Sequence, residues 1–254
     1  ELDYILSIGD SSKAFDYVVF DSTLYPDDAT VAFAQSNPAP FTLIDFSMIT
    51  VDNKETAEAI KTKIANGETT FAQAAIDNSI DSFASEGGKA GVFYLYEVQE
   101  NFVTQDEVNN LFSTPVGEMT DVYASQGGYA LYKVEQKPFF PDYTDSEVLN
   151  DVRAYIQANN PDVTQNYVQQ KGEEFLALIA NGRSFKEATI EAGLNIISVE
   201  KTPANVGSTN YLMGFNYTDQ GGYLQTLSTD VDTMKVLYSL EKGQTSSLIK
   251  SSDS

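Results

Sequence analysis

Three observations predict an α+β fold for this chain. Short β-branched and aromatic runs stand between glycines and prolines; segments with apolar residues at helical spacing lie among them, several opened by a capping hydroxyl; and two connections recur later in the chain in the same order. At 254 residues with 42% hydrophobic and 12% aromatic content, the chain is long and apolar enough to bury a core, in one or two domains.

The run Phe15–Phe20, FDYVVF, reads as a strand. Pro26, Pro38 and Pro40 interrupt the segment after it and leave room for a short helix over 28–35. Phe41 to Val51 is the next strand candidate. Ala57, Ile60 and Ile64, at i, i+3 and i+7, predict a helix over 54–65 that stops at Gly67. Thr70-Phe71-Ala72-Gln73 reads as a capping box opening a second helix, with Phe71, Ala74 and Ala75 turned inward. Gly87, Gly88 and Gly91 lead into the strand GVFYLY. A helix over 105–112, a turn at 115–117 and strands at 120–124 and 129–134 come next, the last two joined by Gly127-Gly128. Beyond Pro138 and Pro141, Val148, Leu149, Val152, Tyr155 and Ile156 form a helical stripe ended by Asn159-Asn160-Pro161, and a longer helix spans 163–180.

The chain then echoes itself. Ile179-Ala180-Asn181-Gly182 copies Ile64-Ala65-Asn66-Gly67, and Ser184-Phe185-Lys186-Glu187 reproduces the capping pattern of Thr70–Gln73. Residues 237–251, LYSLEKGQTSSLIKS, align without a gap on 111–125, LFSTPVGEMTDVYAS, turn glycines included. Two matches in one order argue for a degenerate repeat. The second copy stops at Ser254, where a counterpart of the 129–134 strand is due, so an open sheet edge is expected there, filled by FDYVVF or by a partner chain.

Fifteen basic against 37 acidic residues give a net charge of −22 and a pI near 4.1, which disfavours nucleic acid and anionic lipid as partners. The chain contains neither cysteine nor histidine. Disulfides, thiolate nucleophiles and the commonest metal ligand and general base are thereby excluded, and no cofactor is expected. Asp27-Asp28 and Asp230-x-Asp232 lack the glycine and closing Glu of an EF-hand loop and read as solvated acidic loops. No Walker, Rossmann or nucleophile-elbow spacing is present, and the Asn216-Tyr217-Thr218 sequon has meaning only in a glycosylating host. No apolar run approaches the ~18 residues that span a bilayer, and nothing at Glu1 resembles a signal peptide, so a fragment or mature ectodomain is expected, with any anchor outside it.

Residues of about 41–138 resemble a parvulin-type (PpiC, rotamase) prolyl isomerase domain. The resemblance rests on Phe46–Ile49, Gly67-x-x-x-Phe71-x-x-Ala74-Ala75, Ser79-x-Asp81, Gly87-Gly88-x-x-Gly91, Gly117-Glu118-Met119-Thr120 and Gly128-Tyr129. It implies a four-stranded antiparallel sheet wrapped by helices, then a helical linker and a second, incomplete parvulin-like unit over 139–254. Residues 1–40 are left as a strand and linker segment, or part of a preceding domain. It also implies an apolar proline pocket beside two histidines and a Cys or Asp. The first histidine slot falls on Phe46, or on Ser47 with a one-residue slip, and the second on Ala130; Asp81 alone keeps the acidic position as a catalytic candidate. Phe46, Met48, Phe93, Tyr123, Tyr129, Ala130 and Leu131 are the peptide-binding candidates, with core packing the competing role for each.

The family resemblance, the acidic surface and the absent imidazoles lead to one expectation and two alternatives. The expectation is an extracytoplasmic folding factor of the SurA and PpiD type, periplasmic or surface-exposed, that holds unfolded or proline-containing polypeptide with weak or no isomerase activity. The alternatives are an active isomerase with a rearranged, histidine-free site, and a structural scaffold assembled through the incomplete second sheet.

Overall fold

A computed structural model of the chain describes residues 13–202 and 231–250. The sequon at Asn216 and Asp230 of the second acidic pair lie outside the described residues. The chain divides into two compact units, one of residues 27–154 and one that joins 1–26 to 155–254.

The unit of residues 27–154 is built on a four-stranded antiparallel sheet in the order β3-β2-β5-β4. Its elements are α1 (Asp27–Ser36), β2 (Leu43–Val51), α2 (Lys54–Ala65), α3 (Phe71–Asn78), β3 (Lys89–Tyr94), α4 (Gln105–Ser113), β4 (Tyr123–Ser125) and β5 (Gly128–Phe139), with the start of α5 (Ser146–Asn159). β2 is central, and its residues from Ile44 to Val51 are almost all buried, as expected of a strand covered on both faces. Its register against β5 pairs Phe46 with Val134, Met48 with Tyr132 and Thr50 with Ala130.

Strand alternation sorts the core into two layers. Ile49, Val51 and Leu131 meet Ala57 and Ile60 of α2, Phe71, Ala74 and Ala75 of α3, and Val122, with Ile64, Met119 and Tyr129 at the margin. Ile44, Phe46, Ala130, Tyr132 and Val134 meet Val98, Leu111 and Tyr123, flanked by Met48, Ala90, Phe93, Phe102 and Phe112. Contacts place the edge of this unit ahead of residue 41 and beyond 138. Phe41 is fully buried, its ring against Phe33 of α1 and against Tyr94 and Tyr96, and the Tyr94 hydroxyl donates to Asp151 Oδ2 at 3.2 Å.

Several local readings are refined. Thr70 accepts from the Gln73 amide at 3.1 Å, but the Gln73 side chain donates to Asp77 rather than closing the box. The β4–β5 hairpin pairs Ser125 with Gly128, so Gln126-Gly127 forms the two-residue turn and Gly128 already lies in the strand. Of the segment 120–124 only its end joins β4; ahead of it the Thr120 amide donates to Tyr132 C=O of β5 at 2.9 Å, while the Thr120 hydroxyl donates to Asp121 C=O and takes the Tyr132 N–H that a regular ladder would pair with a carbonyl.

In the other unit, β1 (Lys13–Tyr17) pairs antiparallel with β6 (Ile197–Thr202), matching Phe15 to Val199 and Tyr17 to Ile197. FDYVVF thus enters the strand only through Tyr17, and β6 has no counterpart among the sequence expectations. α6 (Pro161–Ala180), α7 (Phe185–Glu191) and α8 (Val231–Ser239) complete the described elements. Phe175 is the hub, with Phe20 at 5.7 Å and Phe185 at 5.4 Å between ring centroids.

The echoed segments adopt the same local geometry. α2 ends with Gly67 N–H on Ile64 C=O (3.0 Å) and Glu68 N–H on Lys63 C=O (2.9 Å); α6 ends with Gly182 on Ile179 (2.9 Å) and Arg183 on Leu178 (3.1 Å). Both glycines hold the positive φ this terminus requires, +73° and +94°. α7 opens with a full capping box, Ser184 and Glu187 satisfying each other's amides.

Candidate peptide-binding face

β2, β3 and β5 present five aromatic rings together with the connections around them. Phe46 lies 5.5 Å from Phe93 and 5.5 Å from Tyr132; Phe102 stacks on Tyr132 at 5.1 Å and meets Tyr123 edge-on at 5.8 Å. Phe46 and Tyr132 are buried, whereas Met48, Phe93, Phe102 and Phe112 are only half-buried, so the layer ends in apolar surface rather than in a closed core. Edge-to-face packing of this kind fixes the rings and adds about 0.5–1.5 kcal/mol per pair beyond burial. The Tyr123 hydroxyl is held by Asn110 Oδ1 at 2.7 Å, which ties α4 to β4.

Among the candidates, Phe46, Met48, Phe93, Tyr123 and Ala130 share this face. Tyr129 and Leu131 do not. Neighbours along a strand point to opposite sides, so both join the helix-packed layer, where Leu131 has no exposed surface and is core rather than pocket. Tyr132 and Phe102 take their place. The i, i+2 spacing from Ala130 signals Tyr132, whereas Phe102 follows a non-repetitive connection and carries no periodic signal.

Both presumed histidine slots are apolar and covered. Phe46 is 5% exposed and Ala130 is fully buried. The slipped alternative, Ser47, faces the other side, where its hydroxyl donates to Glu135 Oε1 at 2.7 Å.

Asp81 is engaged by the backbone and by a neighbouring hydroxyl. Its Oδ1 accepts from Phe83 N–H at 2.9 Å; its Oδ2 accepts from Thr50 N–H at 3.1 Å and from Ser79 Oγ at 2.5 Å. Ile80 N–H donates to Thr50 C=O at 2.9 Å, so the α3–β3 connection, with this carboxylate, is pinned to the C-terminal end of β2. The same connection returns at Gly88, φ +81°, where a β-carbon would stand 2.5 Å from Met48 C=O; only glycine permits that approach.

Burial, then the charge of Asp81, pushes the Tyr132 phenol far above its ordinary range, and burial raises Tyr123 as well. Both phenols stay protonated and neutral near pH 7. Thr50 Oγ1, beside Ala130 in the register, is buried without a hydrogen-bond partner. What the face exposes is therefore apolar contact, from the half-buried Met48, Phe93, Phe102 and Phe112.

Residues 49–136 match the rotamase family, described as a PPIC-type PPIASE domain. Among solved structures the chain is similar to PrsA from Bacillus subtilis, with 24% identity over 66% of this chain and 60% of that one and a TM-score of 0.33. It is also similar to a SurA-like chaperone of Campylobacter jejuni, with 17% identity over 69% and 66% and a TM-score of 0.33. An uncharacterized protein of Treponema pallidum (strain Nichols) is 22% identical over 49% of this chain, which spans 48% of that protein's length.

Proposed function

We propose that the chain, whose residues 49–136 match the PpiC-type rotamase (parvulin) family, serves as a parvulin-like folding factor that holds unfolded or proline-containing polypeptide on the aromatic face, with weak or no isomerase activity. The observation that carries this reading is the half-buried apolar surface around Phe93, Phe102 and Phe112, combined with Phe46 and Ala130 in the presumed histidine slots. Rotation about an X–Pro bond faces a barrier of about 18–20 kcal/mol, and a face without an imidazole network lacks the family's usual means of lowering it.

We assign the chain to the cell envelope; none of its described helices is long and apolar enough to cross a membrane. A surface without cysteine and with a charge of −22 suits an oxidising compartment and clients that are not polyanions. For the domains we propose a strand and linker segment over 1–40, a parvulin-like domain over 41–138 within the compact unit of residues 27–154, and a linker with a degenerate second unit over 139–254.

The test pairs two assays on the 254-residue chain. Aggregation of an unfolded client is expected to fall at molar excess of the chain, and Phe102→Ala is expected to weaken that protection while leaving the circular dichroism unchanged. A proline-limited refolding assay is expected to show little acceleration. Absence of protection would leave the scaffold role. One observation favours the histidine-free isomerase: Thr50 Oγ1, Ser79, Asp81 and Tyr132 gather beside Ala130. Acceleration abolished by Asp81→Ala, but not by a remote surface change, would establish it.

A further inference from the structure

Residues 90–132, which carry Phe93, Phe102, Phe112, Tyr123 and Tyr132 of the aromatic layer, include six acidic residues and no Lys or Arg. Residues 1–12, 203–230 and 251–254 hold no Lys or Arg either, so no segment outside the described residues brings a basic side chain to the face.

The sheet separates the two signs of charge. Lys54, Lys61 and Lys63 belong to α2, on the helix-packed side. Lys89 of β3 and Lys133 of β5 are both register partners of Ser47, which faces that same side, and Lys133 bonds Glu135 there at 3.0 Å. Lys137 lies five positions beyond Tyr132 on β5, roughly 16 Å along the strand, and Arg153 pairs with Asp27. Lys61 reaches Asp121 Oδ1 at 2.8 Å and neutralises that carboxylate.

The aromatic side keeps carboxylates. Glu107 closes the capping box of α4, its Oε2 accepting from Val103 N–H at 3.1 Å and from Thr104 N–H at 3.0 Å, which holds its charge beside Phe102. Among the described residues its Oε1 receives no hydrogen bond. Glu100, exposed, stands two residues ahead of Phe102, and its C=O takes the Gln126 side chain at 3.3 Å, which brings the β4–β5 turn to the same rim. The field reaches the rings: besides burial, the charges that raise the Tyr132 phenol are Asp81 and Glu107, those that raise Tyr123 are Asp121 and Glu107, and no basic side chain among the described residues offsets them.

We propose that the aromatic face is selective for cationic segments: it takes an apolar or prolyl residue flanked by Lys or Arg, with the apolar residue on Phe93, Phe102 and Phe112 and the cation at Glu107. The half-buried rings favour the same occupant, since an ammonium or guanidinium group is attracted to a ring face. A segment rich in Asp or Glu meets repulsion of one sign along the whole rim. This inference rests on the client-holding reading and adds to it the chemical class of client.

Binding to the 254-residue chain is followed by fluorescence anisotropy with labelled peptides that share one Phe-Pro pair, flanked by Lys, by Ser or by Glu. The Lys peptide is expected to bind about tenfold tighter than the Glu peptide at ~20 mM salt, and the gap to close to about twofold at ~0.5 M. Glu107→Gln is expected to narrow the low-salt gap about threefold with the circular dichroism unchanged, because Gln serves a capping box as Glu does. Glu58→Gln, the same change of charge on α2, is expected to leave the gap as it is. Equal affinity for the three peptides or a preference for the Glu peptide overturns the proposal. Equal narrowing by the two variants assigns the preference to the net charge of the chain and also overturns it. Phe102→Ala is expected to weaken all three peptides by the same factor. Equal binding of the three that Phe102→Ala abolishes therefore leaves the holding face standing without its charge selectivity, whereas binding of none, or binding indifferent to Phe102→Ala, overturns the holding face and the selectivity together.

Discussion

The sheet of residues 27–154 receives β5 through a tight hairpin, whereas in the other unit β1 pairs with β6 from the far end of the chain. In the first, Leu131 is sealed among α2, α3 and Val122; in the second, Phe175 packs against Phe20 and Phe185. The helix caps and turns are nearly the same in both, down to positive-φ glycines at 67 and 182 and at 117 and 243. Local geometry is therefore reproduced by local sequence, while each core depends on which distant segments meet.

The strongest way to break this comparison is Leu131→Ala. Emptying a sealed site is expected to cost about 2–5 kcal/mol, read as lowered protection of β2 amides in native-state hydrogen exchange. A loss below about 1 kcal/mol would mean that β5 does not close the core as described. Next come the caps: Thr70→Ala and Ser184→Ala should each cost about 1 kcal/mol, with Ser184 the larger because its box is reciprocal. Leu248→Ala should cost under about 1 kcal/mol, since that side chain is 40% exposed.

The smallest effect is pH-dependent and sharpens the description of the closed sheet. Burial by itself would raise the Glu135 carboxyl, but hydrogen bonds from Ser47 and Lys133 outweigh it and hold the group below its ordinary range. A depressed carboxyl stabilises the fold above its unfolded pKa, and the contribution is lost as pH falls through the folded value. Glu135→Gln should therefore lower the melting temperature at pH 7 and match the parent chain near about pH 3. A difference that persists undiminished in acid would assign the effect to packing.

Much of this was legible in the sequence. The i, i+3, i+7 stripe of Ala57, Ile60 and Ile64 locates α2 to the residue, since a helix's periodicity and caps are written within a dozen positions. β6 was not legible, because Ile196-Ile197-Ser198-Val199 is a short apolar run that becomes a strand only by pairing with a segment about 180 positions away. Of the seven candidates the motif named, Phe46, Met48, Phe93, Tyr123 and Ala130 meet in the aromatic layer, while Tyr129 and Leu131 pack in the helix-covered layer. A family motif gives positions along the strand; the side each residue faces follows from the register, which bulges near Asp45 and Phe46 adjust. Asp81 stood out for its chemistry, yet its hydrogen bonds with Thr50, Ser79 and Phe83 make it a fastener of the α3–β3 connection as well.

The sequence by itself determined the α+β class, the caps and turns, the repetition of the α2–α3 connection and the absence of any imidazole, because each of these resides in residue type or short spacing. Only the tertiary structure decided that Tyr132 and Phe102 complete the aromatic face, that β1 joins β6, and that Phe175 meets Phe20 and Phe185. Those outcomes depend on which distant segments meet, and burial rewards that meeting without recording it in any local stretch of the chain.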